Sequence, residues 1–470
     1  MFLGIDVGTS SVKAVLCDAA LRTLSEASVP LGIAHPHPAW AEQHPDSWWQ
    51  AAVQAVRALR ISGPVRAIGL SGQMHGAVLL DASGDVLRPA ILWNDGRAAT
   101  DSAELSDPVL ERIAGVRAMP GLTAPKLLWL RRHEPELHAR IAHVLLPKDF
   151  IGHRLHGRIV TDRSDAGGTW WFDQARGTWS DRLCAATATD PAWLPEVLAG
   201  DAVAGTLTSD AAQALGLPAG IPVAAGAGDA VAGAVAIGAV SDGVGFISLG
   251  TSGQLFVATG AYAAAPAQGL HSFAHAYPGL WYQMAAMLNG ARPMAWFSEM
   301  TGAPLPVLLA EAAEADSRDA PLCLPYLTGE RTPHGDAQIR GAFSGIGNGT
   351  TRGQMMRAVI DAIAYSFADA KAAVEAARPL PARLRVIGGG ARADLLVQTI
   401  ADVMCVPLDR TPDAAVGPAL GAARLAARAV GSEPPYETPE AQHFTPRDTP
   451  WHAERLAKFR ALYQALKGLT

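Results

Sequence analysis

Residues 3–15 read Leu3-Gly-Ile-Asp-Val-Gly-Thr-Ser-Ser-Val-Lys-Ala-Val15, and residues 245–257 read Gly245-Phe-Ile-Ser-Leu-Gly-Thr-Ser-Gly-Gln-Leu-Phe-Val257. Each is a short apolar run, a Gly-Thr-Ser turn and a second apolar run, the pattern of a β-hairpin with small residues at its tip. Glycine at Gly8 and Gly250 lets backbone N–H groups close around an anion. The hydroxyls of Thr9, Ser10, Thr251 and Ser252 add further donors. One such turn says little, because small polar residues close most hairpins. Two at equivalent places in the two halves point to an internal duplication, with a phosphate chain held between paired hairpins.

The rest of the chain narrows the class. A length of 470 residues exceeds what one core supports, so two to four domains are expected. A hydrophobic content of 49% with a net charge of −6 describes a soluble globular protein. That mild acidity argues against nucleic acid or an anionic membrane as partner. Cys17, Cys184, Cys323 and Cys405 stand far apart with no Cys-x-x-Cys pair. This argues against a zinc site or a disulfide framework and fits a reducing compartment, the cytoplasm. No basic region precedes the first apolar run, so no signal peptide is expected. Residues 220–240 have the length of a membrane span, but they are mostly Gly and Ala with Pro222 and Asp229 among them. They read instead as strand, glycine turn and buried small-residue helix.

Strand, turn and helix alternate along the chain, which predicts α/β layers with mixed sheets. Asp46 or Ser47 is expected to cap a helix carrying Trp48, Trp49, Val53, Val56 and Leu59. Val65 to Leu70 reads as a buried strand ending in Ser71-Gly-Gln-Met-His-Gly76. A strand running to Trp93 is closed by Asn94-Asp-Gly-Arg97, which is expected to cap the next helix. Helical patterns cover Pro125 to Arg140 and Pro191 to Leu217. Thr351 caps a long helix through Phe367. Leu384 to Ile387 is a strand running into Gly388-Gly389-Gly390, and helices begin at Asp394 and near Val416–Gly421. A final amphipathic helix covers Trp451 to Leu466. The first domain is predicted to be 1–240 and the second 241–470, with the side on which the tail 426–470 packs left open.

Four places carry candidate chemistry. The triple glycine ahead of a helix is a nucleotide-type loop, or equally a tight turn; no Gly-Lys-Ser/Thr follows it, so it is not a Walker loop. Asp229 lies between a buried strand and a run of small residues. It is either a helix cap or a general base taking a proton from a hydroxyl that attacks phosphorus. Asp6 is either a turn residue or a holder of Mg²⁺ through water. Gln73, Met74 and His75, between two glycines at a strand end, suit a sugar: ring nitrogens and an amide for hydroxyls, a thioether for an apolar wall. The bland reading of His75 is a satisfied loop histidine.

Taken together, these residues resemble the FGGY family of carbohydrate kinases from Leu3 to about Leu425. Its first signature is matched by Gly121-Leu-Thr-Ala-Pro-Lys-Leu-Leu-Trp-Leu-Arg-Arg-His133 and its second by Gly341 to Asp361. Ser71 to Gly76, Leu92 to Arg97 and Leu324 to Pro333 are similar to the forms found in members that act on D-xylulose. The resemblance implies two actin-like, ribonuclease-H-like ATPase domains, the first sugar-binding and the second nucleotide-binding, with ATP and sugar in the cleft between them. It implies phosphorylation of the 5-hydroxyl of D-xylulose with Asp229 as base, Asp6 as a second essential carboxylate, and Mg²⁺ held near both through water. Gln73, Met74, His75, Trp93 and Asp229 would meet the sugar. Gly8, Thr9, Ser10, Lys13, Gly250, Thr251, Ser252, Gly388, Gly389, Gly390 and Gly417 would meet ATP. A homodimer is common among similar enzymes. Ala230 departs from the Asn often found there. Other readings are the same chemistry on ribulose, gluconate or glycerol, and an actin- or chaperone-type ATPase, for which no peptide-binding module follows the second domain.

Overall fold

The computed structural model describes residues 1–411, 417–436 and 440–469. Two sheets organise it, and they repeat one another. In the first the order runs Thr23–Pro30, Ser11–Cys17, Phe2–Val7, Ala67–Gly72, Pro222–Ala224, Val203–Thr206. In the second it runs His271–Ala274, Trp281–Met287, Gly253–Thr259, Gly245–Leu249, Leu384–Ile387, Leu408–Arg410, Gln442–Phe444. Each opens on the hairpin read from the sequence, antiparallel with Asp6 opposite Lys13 in one and Ser248 opposite Gln254 in the other. Each then adds a parallel strand beside the first hairpin strand, Ala67–Gly72 or Leu384–Ile387. The predicted duplication is therefore structural, and the loops after those two parallel strands, residues 73–76 and 388–390, are equivalents.

Alternation along Phe2–Val7 sorts its side chains onto two faces. Leu3, Ile5 and Val7 pack with Trp48, Ala52, Ala55 and Val56 of the helix Pro45–Ala58. Phe2 faces Ala419 and Ala423 of the helix Pro418–Ala429. Gly4 and Gly69 lie on that second face, where any Cβ would overlap the carbonyl oxygens of Ala419 and Ala422. The sheet and helix backbones thus touch directly. The same helix presses Gly421 against the carbonyl of Ala232, in the helix Asp229–Ala236. The chain has therefore already crossed back onto the first sheet by residue 418. The tail divides after that, because Phe459 and Tyr463 of the last helix, Trp451–Leu466, belong to the core of the second sheet.

In that core the helix Arg352–Glu375, capped by Thr351 as expected, with Gln354 completing a capping box, covers Ile247, Leu249 and Leu255. The opposite face of the second sheet, with Phe246, Phe256, Tyr282 and Ala286, packs with Met74, Val231 and Val235 of the first half. The lobes thus share a continuous apolar seam beside the cleft.

Several local expectations are corrected. The first helix is capped by His44, whose ring accepts from the N–H of Asp46, rather than by Asp46 or Ser47. Asp95 does not cap the helix Ala99–Glu104; it accepts from the N–H of Ala41 and pairs with Arg97, which stacks 3.7 Å over Trp40. Residues 191–217 hold the strands Glu196–Leu198 and Val203–Thr206 and only one α-helix, Ser209–Leu215. Their apolar spacing was ambiguous, and pairing of Glu196–Leu198 with Val160–Asp162 and of Val203–Thr206 with Pro222–Ala224 decided it. The helix expected from Val416 begins at Pro418, and Val416 lies outside the described residues. No helix among the described residues is long and apolar enough to cross a membrane.

Candidate active site

The two Gly-Thr-Ser turns border one cleft. Trp93 Nε1 donates to Thr9 Oγ1 at 2.9 Å, and the Arg331 guanidinium lies 6.0 Å from the centre of the Trp93 ring. Beside Arg331, the Glu330 carboxylate accepts from Leu288 N at 2.6 Å, and Gly290 N donates to Thr251 O at 2.9 Å. This chain of contacts runs from one hairpin to the other. Ser10, Thr251 and Ser252 are exposed, as donors waiting for a ligand would be. Lys13 is turned aside, pairing with Glu26 at 2.9 Å.

Asp6 is the next-to-last residue of the first strand and Asp229 opens the helix Asp229–Ala236, and the charge of Asp229 acts on Asp6 through space. Burial, with the Asp229 charge adding to it, pushes Asp6 up to about 7. Burial pushes Asp229 up to about 6, although its carboxylate accepts from Ala230 N at 2.7 Å. Asp6 Oδ1 is shielded from solvent and has no hydrogen-bond partner. Asp229 is half-buried. Gly228, not Asp229, holds the cap position of this helix, and Asp229 is its first residue; one carboxylate oxygen takes the Ala230 N–H and the other is free to work as a base.

The turn that carries Asp229 is held from below. Lys148 is buried and lies 3.1 Å from Asp162 and 3.7 Å from Asp165, and it also pairs with Asp149. Burial works against its charge, but these three carboxylates keep its pKa above the usual value. Asp162 accepts from Ser164 Oγ at 2.5 Å, and Ser164 Oγ accepts from Gly228 N at 3.2 Å. The backbone one residue before Asp229 is thereby tied to a buried ion cluster. None of Lys148, Asp149, Asp162, Ser164 and Asp165 is among the candidates read from the sequence.

His75 adopts a left-handed backbone, φ 69°, rare for a residue with a side chain. Its carbonyl accepts from Lys126 Nζ at 2.7 Å and Thr123 Oγ1 at 3.2 Å, and its Nδ1 bonds the carbonyl of Gly168 at 2.6 Å. Burial holds the imidazole neutral, down to about 3. Nδ1 must then carry the proton, so Nε2 is an acceptor with no hydrogen bond among the described residues. Met74 packs against Gly228 and Gly168, walling the space between His75 and Asp229. Gln73 is placed differently: its amide is buried, accepting from Thr9 Oγ1 at 2.9 Å and donating to Gln43 Oε1 at 3.1 Å. It braces the phosphate-type turn from within. Lys126, a lysine inside the apolar helix Thr123–His133, was the signal in the sequence that something buried needed a donor.

Gly388 and Gly390 are pressed against Leu249, and Gly388 has φ 94°. Neither tolerates a side chain. Gly389 and Gly417 have no atom within 4 Å of where a Cβ would be, which leaves room for a ligand to approach the backbone. Gly417 also precedes the N-terminus of the helix Pro418–Ala429, which favours negative charge.

Comparison with known proteins follows the same outline. Residues 1–236 match the N-terminal domain of the FGGY family of carbohydrate kinases, and residues 245–430 match its C-terminal domain. The chain is 41% identical over 488 residues to a xylulose kinase of Escherichia coli, covering 100% of both. It is 43% identical over 440 residues to one of Klebsiella pneumoniae, covering 92% of this chain and 91% of that one. The crystal structure of a xyloylose kinase from Brucella ovis superposes with a TM-score of 0.94 at 40% identity, covering 100% of each.

Proposed function

The chain belongs to the FGGY family of carbohydrate kinases, and on that premise we propose that it transfers the γ-phosphoryl group of ATP to the 5-hydroxyl of D-xylulose, giving D-xylulose 5-phosphate and ADP. The observation that carries the chemistry is a half-buried carboxylate, Asp229, in a molecule whose cleft is bordered by two Gly-Thr-Ser turns. In this reading the turns and the backbone at Gly389 and Gly417 hold ATP. His75 and Met74 orient the ketose, with its terminal hydroxyl beside Asp229. Asp229 accepts that proton as the oxygen attacks phosphorus. Apolar packing between the lobes keeps water from the reacting centre.

Mg²⁺ belongs to the same proposal. The described residues contain no cluster of three or more acidic, histidine or cysteine side chains that would cage a metal. The unpartnered Oδ1 of Asp6 beside Asp229 suits instead an ion held mainly by phosphates and water. Bound there, the ion would neutralise charge on the phosphates. A cytoplasmic location, supported by four free cysteines, and a homodimer complete the reading.

A coupled assay of ATP consumption across pentuloses, polyols and aldonates tests it. D-Xylulose should give the highest kcat/KM, and sugar-independent ATP turnover of equal rate would overturn the proposal. The pH profile adds a sign. Burial raises Asp229 to about 6, so below that pH the base is protonated and inactive. Activity should therefore climb with pH through about 6 and level off above it. A flat profile from pH 5 to 8 would remove Asp229 as the base.

Lys126→Met should raise the KM for the sugar by roughly tenfold, since it leaves the His75 carbonyl short of a charge-assisted donor. The KM for ATP should not move. If both constants stay at wild-type values, the left-handed turn at His75 is held by its other contacts.

A further inference from the structure

Lys148, Asp149, Asp162 and Asp165 form an ion cluster inside the first lobe, and none of them is more than 3% exposed. One lysine faces three carboxylates. Beyond these ion pairs, Asp162 Oδ1 and both oxygens of Asp165 have no hydrogen bond among the described residues. Taking such charges out of water is costly, and an apolar filling of the same volume is often at least as stable. Stability does not account for the cluster, whereas the groups it holds do.

It grips both ends of one turn. Lys148 Nζ donates to the carbonyl of Ala225 at 3.2 Å. Asp162 accepts from Ser164 N at 2.7 Å and from Ser164 Oγ at 2.5 Å, so the hydroxyl hydrogen is committed and the oxygen is left to accept. Gly228 N donates to that oxygen at 3.2 Å. Between the two holds lies Gly226, φ 85°, where a Cβ would fall 2.1 Å from the carbonyl oxygen of Leu70. The turn 225–228 is thus pressed onto the strand Ala67–Gly72 and held at each end, and Asp229 is the next residue. Ser164 itself belongs to the helix Arg163–Gly167, which Asp162 caps. Just past that helix, the carbonyl of Gly168 takes Nδ1 of His75 at 2.6 Å. One short helix, seated on the Lys148 cluster, therefore supports Asp229 at one end and His75 at the other.

Resting on the function proposed above, we propose that Ser164, held by Asp162 and Lys148, is a positioning residue for the transfer step, fixing the backbone that aims the Asp229 carboxylate at the attacking hydroxyl. The base must lie within hydrogen-bond reach of the proton it takes, and a misplacement of about 1 Å costs roughly 10²-fold. The Ser164 hydroxyl bonds the residue before the base and touches no group assigned to sugar or ATP. Its contribution therefore belongs in kcat. Lys126 is the opposite case, since it supports the backbone of His75 and belongs in the KM for the sugar. The support from Gly168 is a backbone carbonyl, which a change of side chain at 164 leaves in place.

Steady-state kinetics and melting temperatures of Ser164→Ala and Ser164→Thr test the assignment. Ser164→Ala should lower kcat by about 10- to 100-fold, with the KM for D-xylulose and for ATP each within about threefold of wild type. Ser164→Thr keeps the hydroxyl and should return kcat to within about fivefold of wild type. A wild-type kcat in Ser164→Ala overturns the inference. So does a loss of kcat matched by rises in both KM values, which marks general loosening of the fold. A Ser164→Thr that melts like the wild type yet turns over as slowly as Ser164→Ala also overturns it. Should either variant fail to fold, Ser164→Cys decides, because a thiol of similar size is a weak acceptor. A kcat lowered about fivefold or more at unchanged KM then supports the role, and a wild-type kcat refutes it. Asp229→Asn keeps the two readings apart: normal turnover there refutes the base, whereas an inactive Asp229→Asn beside a normal Ser164→Ala refutes only the positioning role.

Discussion

Asp229→Asn should lower kcat by about 10²- to 10⁴-fold while ATP still binds. The substitution keeps the size of the side chain and its acceptor oxygen, so the bond to Ala230 N survives and the helix Asp229–Ala236 keeps its start. What is lost is the only property the reaction needs, an electron pair basic enough to take a hydroxyl proton. The wild-type group is suited to this because burial lifts it to about 6, closer to neutrality than an exposed aspartate. Its backbone is fixed through Gly228, Ser164, Asp162 and Lys148, so relaxation of the turn should not restore activity. Binding of ATP, measured by titration calorimetry, should be within a few-fold of wild type, because the two Gly-Thr-Ser turns are untouched. Turnover near the wild-type rate would end the assignment. Loss of ATP binding in parallel with kcat would mean that Asp229 holds the nucleotide's ion rather than the proton.

Gly69→Ala should destabilise the protein by about 1–3 kcal/mol and reduce activity with it. The added methyl would overlap the carbonyl oxygen of Ala422 and approach Ala426 Cβ to 3.2 Å. The obstacle is backbone in the helix Pro418–Ala429, so no rotamer change relieves it and the helix must back away from the sheet. That helix also carries Gly421 against Ala232, and a displacement there moves the helix that begins with Asp229. Stability and kcat should therefore fall together, although residue 69 faces no ligand. Gly233→Ala is the control: it sits on the Asp229 helix with no atom within 4 Å of the added carbon, and it should be neutral or slightly stabilising. A melting midpoint for Gly69→Ala equal to wild type would show that sheet and helix are not as closely seated as described.

Both predictions turn on features of different legibility. Asp229 was a candidate from its surroundings in the chain alone, a carboxylate between a buried strand and small residues. Whether it was a cap or a base could not be read there, because both roles use the same residue at the same turn. The structure puts Gly228 at the cap and Asp229 one residue inside the helix, with one oxygen on Ala230 N and the other left over. Gln73 shows the opposite outcome. Its place in Ser71–Gly76 suggested a sugar contact, yet its amide is consumed by Thr9 and Gln43, and Gln43 lies 30 residues away. Lys126 and Gly168 escaped the sequence reading because their purpose is to hold His75, 51 and 93 residues distant along the chain.

What the amino-acid sequence determined alone was everything that depends on neighbours in the chain. Turn chemistry and twofold alternation marked both hairpins, their duplication and most strands and helices, since glycine and small hydroxyls at a tip act within a few residues. The tertiary structure alone decided which carboxylates face each other, which helix crosses from one lobe to seat on the other's sheet, and which buried lysine grips the turn ahead of Asp229. Those facts are distances and burial between residues far apart in the chain, and electrostatics in a site without water is governed by such distances rather than by sequence order.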